Sequence, residues 1–280
     1  MHAWIKHQRH SLHIVIAVWG MMASLAPSFT SAQITKPDPF PVAFGKGEII
    51  RYHIHYGMVS VGKARFEVKP DWYRYQGVPY YHFYVHGRSL SGWDMFYKVR
   101  DHYHSISDTG PILPLLAFRD VKEGPYEVRD RYFFLHNRQK VRSMRFEGGD
   151  TTDTMMTVPA PTFDIVSAIY HARGLDFSQA RPGDKYPMTV FLENETFSLG
   201  VTFVGRDTLE TEQGTFRCLV IRPELVKGRV FKGQDDMTVY VTDDRNKIPV
   251  LIESKIFIGR IRAALESWEG LRFPLDAKVE

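Results

Sequence analysis

From Glu48 onward, hydrophobic and polar residues alternate with a period of two over most of the chain. Ile50, Tyr52, Ile54 and Tyr56 alternate with Arg51, His53 and His55, and Ala64, Phe66 and Val68 alternate with Lys63, Arg65, Glu67 and Lys69. Successive side chains of an extended strand point to opposite faces, so this pattern predicts a hairpin with one buried face, its turn bracketed by Gly57 and Gly62. The same reading places strands at about 79–87, 94–106, 113–121, 125–136, 139–147 and 151–158. A second group falls at about 185–193, 196–207, 214–223, 236–243, 247–257 and 260–268. Turn residues such as Gly124-Pro125, Gly148-Gly149, Asn194 and Asp243-Asp244 separate them. Connections this short predict antiparallel meanders.

One segment breaks the period. Ile165, Ala168, Ile169 and Ala172 lie three and four apart and share one face of a helix predicted over 164–173. Asp164 suits the N-cap, Arg173 the negative end of the helix dipole, and Gly174 the terminator. A helix of this length is not stable alone, so its apolar face must pack on the sheet. The fold class is therefore all-β with one short helix: a strongly curved antiparallel sheet or open barrel with the helix packed against it.

The N-terminus has a different character. Lys6 and Arg9 form a basic start, Leu12 to Ala26 is mostly apolar, and Thr30-Ser31-Ala32 ends in small residues. This is the pattern of a secretory signal peptide over 1–32 with cleavage after Ala32, which predicts a periplasmic protein. Residues 33–47, rich in Pro and Gly, read as an extended, partly mobile lead-in, 48–268 as a single β-rich domain, and 269–280 as a tail. No later stretch is long and apolar enough to predict a transmembrane helix.

Composition narrows the function. Aromatic residues make up 14%, which favours β structure, and a single Cys excludes an intrachain disulfide framework or a Cys-rich zinc module. The net charge of +4 includes Lys6 and Arg9 of the signal, so the exported chain is nearly balanced and no nucleic-acid partner is expected. No cofactor is expected either.

Several phrases, taken in order, carry a family resemblance. They are Gly47-Glu48-Ile49-Ile50-Arg51-Tyr52 with Gly57 and Gly62, Val99 to Ser105, Asp164 to Arg173, Gly214 to Cys218, Val241 to Val250, and Gly259-Arg260-Ile261. Together, over about 48–268, the chain resembles the bacterial family called domain of unknown function 3108. That family is similar in plan to the curved-sheet outer-membrane lipoprotein carriers. The resemblance implies envelope residence and a concave, lipid-holding face; it supplies no catalytic residues.

Three constellations remain. His53 and His55, His102 and His104, and His82 and His86 each share a strand face. The first four are the weak candidates for a metal site, since imidazole suits zinc, copper or nickel, while solvated strand positions beside Arg51 and Arg100 are the plainer explanation. The aromatic run offers Tyr81, Phe83, Tyr84, Trp93 and Phe96 as candidate ligand-binding residues, because aromatic walls line lipid grooves. The carboxylates Asp235-Asp236, Asp243-Asp244, Glu193 and Glu195 fall at turns and strand ends, which is their ordinary use. Ser105 and Ser167 lack a recognisable base partner, and Cys218 falls on an apolar strand face as a small hydrophobe. The leading expectation is a non-catalytic binding protein for a lipid-like or lipoprotein ligand. An envelope scaffold that binds another protein is the alternative, and a glycan-active enzyme the third.

Overall fold

A computed structural model describes residues 42–224, 237–255 and 259–279. The signal segment 1–32, most of the lead-in and Asp235-Asp236 lie outside the described residues. The first strands are β1 (Ile49–Tyr56), β2 (Val59–Val68), β3 (Tyr73–Tyr75), β4 (Val78–Ser89) and β5 (Arg100–Ser107). They continue through β6 (Pro114–Glu123), β7 (Tyr126–Leu135), β8 (Lys140–Glu147) and β9 (Asp150–Thr157). After the helix α1 (Ile165–Arg173) come β10 (Lys185–Leu192), β11 (Glu195–Thr211) and β12 (Gly214–Pro223). Finally come β13 (Met237–Thr242), β14 (Pro249–Lys255) and β15 (Arg260–Glu269).

These strands form one antiparallel sheet in the order β10-β11-β12-β13-β14-β15-β1-β2-β4-β5-β6-β7-β8-β9, with β3 pairing β4. The sheet is a meander folded once: its first and last strands meet at its centre, Ile50 opposite Trp268. Its edges, β9 and β10, do not pair, so the curved sheet does not close into a barrel. The expected fold class is the one found.

The alternation fixes which face is inside. Ile50, Tyr52 and Ile54 of β1 are buried while Arg51, His53 and His55 are half-exposed, and Tyr81, Phe83 and Val85 of β4 are buried while His82, Tyr84 and His86 face out. The two ends of the sheet curl toward each other. Phe191 of β10 packs edge-on against Tyr132 of β7 with ring centroids 5.0 Å apart. Arg119 of β6 pairs Glu193 at 2.7 Å, and Ser143 of β8 hydrogen-bonds Asn194. The β10–β11 turn is thus fastened to the inner face of the opposite half.

The helix sits inside this curve. Asp164 caps it, accepting from the Val166 and Ser167 N–H groups, while the Ser167 hydroxyl accepts from the Asp164 N–H to complete a capping box. Ser105 on β5 also donates to Asp164 at 2.6 Å, which ties the buried cap to the sheet. On one side of α1, Tyr170 stacks on Phe83 at 4.0 Å, and Phe44 fills the gap beside both rings.

The structure departs from the sequence reading at four places. The strand expected from 94 begins only at Arg100, because Leu90 to Tyr97 forms consecutive turns around Trp93. Gly62 is not a turn residue: it lies within β2, where a Cβ would stand 2.8 Å from the Arg88 carbonyl oxygen, so glycine permits the close strand approach. Where it is described, the lead-in packs tightly rather than loosely, with Phe44 fully buried. The tail packs as well, Val279 N–H bonding to the Thr215 carbonyl and Ala277 being buried.

Candidate functional site

Between α1 and the concave face of β10–β15, β1 and β2 the packing stops short. A cavity of about 190 Å³ remains there. The helix presents Ile165, Ala168, Ile169 and Ala172 to it, the four residues whose spacing defines its apolar face. The sheet contributes Ile50, Tyr52 and Ile54 from β1, Leu219 and Ile221 from β12, Val239 and Val241 from β13, and Ile252 from β14. The small side chains of Ala168 and Ala172 leave space that larger ones would fill. From Pro249 to Ser254, both of which line the cavity, an extended strand covers about 17 Å.

Polar groups are few and unevenly placed. Among the described residues no Asp or Glu lines the cavity. Two cations do, Arg173 and Lys247. Arg173 is fully engaged: its guanidinium meets both carboxylate oxygens of Glu48 at 2.5 and 2.9 Å and donates to the carbonyls of Asn246 and Ala43. Burial opposes its charge, yet Glu48 holds its pKa above the ordinary guanidinium range. Lys247 makes no such pair among the described residues, and partial burial lowers its pKa. The Tyr52 hydroxyl donates to the Pro249 carbonyl at 2.9 Å. The buried hydroxyls of Tyr170 and Ser254, both lining residues, have no hydrogen-bond partner among the described residues.

The aromatic residues singled out in sequence do not form one site, although Tyr81 stacks on Phe83 and Trp93 lies against Phe96. Tyr81 and Phe83 face inward but belong to the core around Phe44 and Tyr170. Tyr84 lies on the opposite face. Trp93 hydrogen-bonds the Ser60 carbonyl at 3.0 Å from the 90–97 turns, and Phe96 beside it is largely exposed, as are Met95 and Met58. None of the five lines the cavity.

The histidines form a ladder of rings on the outer face of β4 and β5. His82 lies 2.9 Å from His104, the Tyr84 hydroxyl 2.7 Å from His102, and His86 stacks on His102 at 4.5 Å. Burial, reinforced by neighbouring cations, holds the pKa of His86 and of His104 down at about 4. His53 instead faces Glu266, at 2.9 Å, two strands away from the ladder. Among the described residues no group of three or more His, Cys, Asp or Glu side chains could hold a metal ion. The four histidines named as metal candidates therefore do not converge.

The carboxylates behave as turn and pairing residues. Asp243 pairs Arg206 at 3.1 Å, Asp244 accepts the Asn246 and Lys247 N–H groups, Glu193 is held by Arg119, and Glu195 is exposed. Ser105 and Ser167 serve the helix cap. Cys218 is fully buried, and burial pushes its thiol up to about 12. A shallow groove of about 320 Å³ lies on the outer face by Arg100, His102 and Arg129, open to solvent and charged.

The family described as "Protein of unknown function (DUF3108)" matches residues 51–266. The chain belongs to this family. No curated protein matches it. Among solved structures, the DUF3108 chain is similar to a beta-barrel-like protein of domain of unknown function DUF1849 from Brucella abortus, with a TM-score of 0.51 and 11% identity. That likeness covers 80% of this chain and 97% of the other. A candidate exported protein with a YmcC-like fold from Bacteroides fragilis matches at 10% identity and a TM-score of 0.36, over 83% of this chain and all of that one. A candidate lipoprotein from Parabacteroides distasonis matches at 11% and 0.30, over 84% and 100%. At such identities the Brucella likeness speaks to the fold alone. None of these descriptions indicates a catalytic family.

The sequence signal for the cavity was present in pieces. The helix face was legible because its period differs from that of the strands. The facing strands in the second half alternate just as core strands do, and nothing local distinguishes a residue lining a space from one filling it.

Proposed function

We propose that this DUF3108 protein is a non-catalytic binding protein of the cell envelope, which holds an elongated, lipid-like ligand in the cavity beneath α1. The observation that carries this reading is the cavity itself, large and lined almost wholly by aliphatic and aromatic side chains. An apolar cavity of about 150 Å³ already takes a benzene-sized molecule. Left unfilled, about 190 Å³ of lost packing costs on the order of 5 kcal/mol, a large share of a domain's stability. Burying an apolar chain there recovers contact on both sides. The signal-like N-terminus supports export to the periplasm, with cleavage after Ala32.

The test is titration of the delipidated protein with the neutral apolar fluorophore N-phenylnaphthylamine. Saturable binding at micromolar protein, lost in Val239→Trp, is the expected result. Absence of saturable binding to a folded wild-type protein would overturn the reading.

A second reading, docking of another envelope protein, draws on the exposed Met95 and Phe96 beside the anchored Trp93. It predicts that Phe96→Ala loses a co-purifying partner while leaving fluorophore binding intact. Retention of that partner would count against it.

A further inference from the structure

We propose that the ligand is a single-chain amphiphile ending in one acidic group, carboxylate or phosphate, and that the Lys247 ammonium holds that group at one end of the cavity. The inference rests on the cavity being a ligand site and goes further by assigning its polarity.

Three observations carry it. First, the charged side chains of the cavity's lining are all cations. Among the described residues its lining holds two cations and no carboxylate, and Glu48 neutralises only one of the cations, Arg173. Second, the carboxylates near Lys247 make their hydrogen bonds and ion pairs to other groups. Asp176 accepts the Ser178 N–H, Asp243 pairs Arg206, and Asp244 caps the 242–247 turn through Thr242, Asn246 and Lys247. They act on Lys247 through space, but no described carboxylate reaches ion-pair distance of its ammonium. A half-buried ammonium with no carboxylate in direct contact leaves its N–H donors open to an incoming anionic oxygen. Third, the backbone is built to put the residue there. Lys247 has a left-handed φ of +45°, rare for a side chain of this kind, and is held in it by Asp244. Asn246 fixes the same turn by bonding Phe273 and Pro274.

The cavity is therefore polarised. Pro249 and Val241 lie at the Lys247 end, and the apolar lining runs along β13 and β14 to Met237 and Ser254 at the other. A chain lying along the strands would place its head at Lys247 and its tail toward Met237. A cationic head would face the Lys247 ammonium and be disfavoured.

The test is displacement of N-phenylnaphthylamine from the delipidated protein by dodecanoate, dodecyl phosphate, dodecanol and dodecyltrimethylammonium. The acids are expected to bind about ten- to a hundredfold more tightly than the alcohol, and the cation most weakly. Comparing the two acids distinguishes a carboxylate from a phosphate head. In Lys247→Met, with Lys247→Gln as a second variant that keeps a polar tip, the preference for acid over alcohol should vanish while dodecanol affinity is retained. Equal binding of acid and alcohol by the wild type would overturn the polarity and leave the cavity reading standing. An acid preference that survives in both folded variants would overturn the role of Lys247. If neither the fluorophore nor any amphiphile binds, the cavity reading itself falls, and this inference with it.

Discussion

Arg173, at the end of α1, and Glu48, at the threshold of β1, form a two-pronged ion pair across 125 residues of sequence, with side chains 5% and 1% exposed. The same guanidinium reaches the Ala43 and Asn246 carbonyls. One side chain thereby joins the lead-in, the first strand, the helix and the turn that carries Lys247. Taking either partner away leaves a buried charge uncompensated. Arg173→Met or Glu48→Gln should each lower the unfolding free energy by about 3–5 kcal/mol, read by urea denaturation. Replacing both with apolar residues should cost less than the two single losses together.

Space left under a helix can be filled from the helix. Ala168→Leu projects methyl groups into the cavity, so the ligand-free protein should gain about 1 kcal/mol of stability while its fluorophore affinity falls at least tenfold. Thermal melts of the delipidated protein and the same titration report the two effects. A stabilised variant that binds as well as wild type would show that the ligand lies elsewhere.

Phe191 is the joint between the two ends of the sheet. Fully buried, it touches both Tyr132 and Phe134. Phe191→Ala should cost about 3–5 kcal/mol, and Phe191→Leu distinctly less. Hydrogen exchange should show the loss concentrated in the β10–β11 turn and in β6–β8.

Asp101 lies buried beside Glu123, and burial, then the neighbouring carboxylate, push its pKa up to about 8. A carboxyl that is easier to protonate folded than unfolded adds stability in acid, and that contribution is lost as pH rises from about 4 through about 8. Asp101→Asn keeps the uncharged form at every pH. Melting temperatures should favour the variant above about pH 8 and converge with wild type near about pH 4.

The histidine ladder works in the opposite sense. His86 and His104 are held near 4, below the ordinary 6.5, so the stability they give is present above 6.5 and is lost as pH falls through about 4. His86→Gln with His104→Gln should flatten the acid side of the melting curve and leave the neutral side nearly unchanged. Equal acid sensitivity in that double variant would rule out these rings as its source.

Much of this architecture was legible in the residues because two periods seldom coincide. Ile165, Ala168, Ile169 and Ala172 could not sit on one face of a strand, and Ile50, Tyr52 and Ile54 could not sit on one face of a helix. Both sets proved to line the cavity. Ring content says what a residue can pack against and not where: Phe83 packs on Phe44 and Tyr170. Phe44 itself comes from a Pro- and Gly-rich stretch whose composition signals looseness. Lys247 was hidden for a different reason. Its significance lies in lacking a partner, and pairing between distant strands and turns is a property of the fold.

The central pairing of β1 with β15 has a consequence for biogenesis. Arg51 meets Glu269 across 218 residues, so the seam of the sheet closes only after the last strand has been made and delivered. A contact this distant in sequence is slow to form and gives nothing until it does. A chain threaded N-terminus first through a membrane would therefore stay incomplete until its final segment emerged, and would remain pliable for as long as it was in transit.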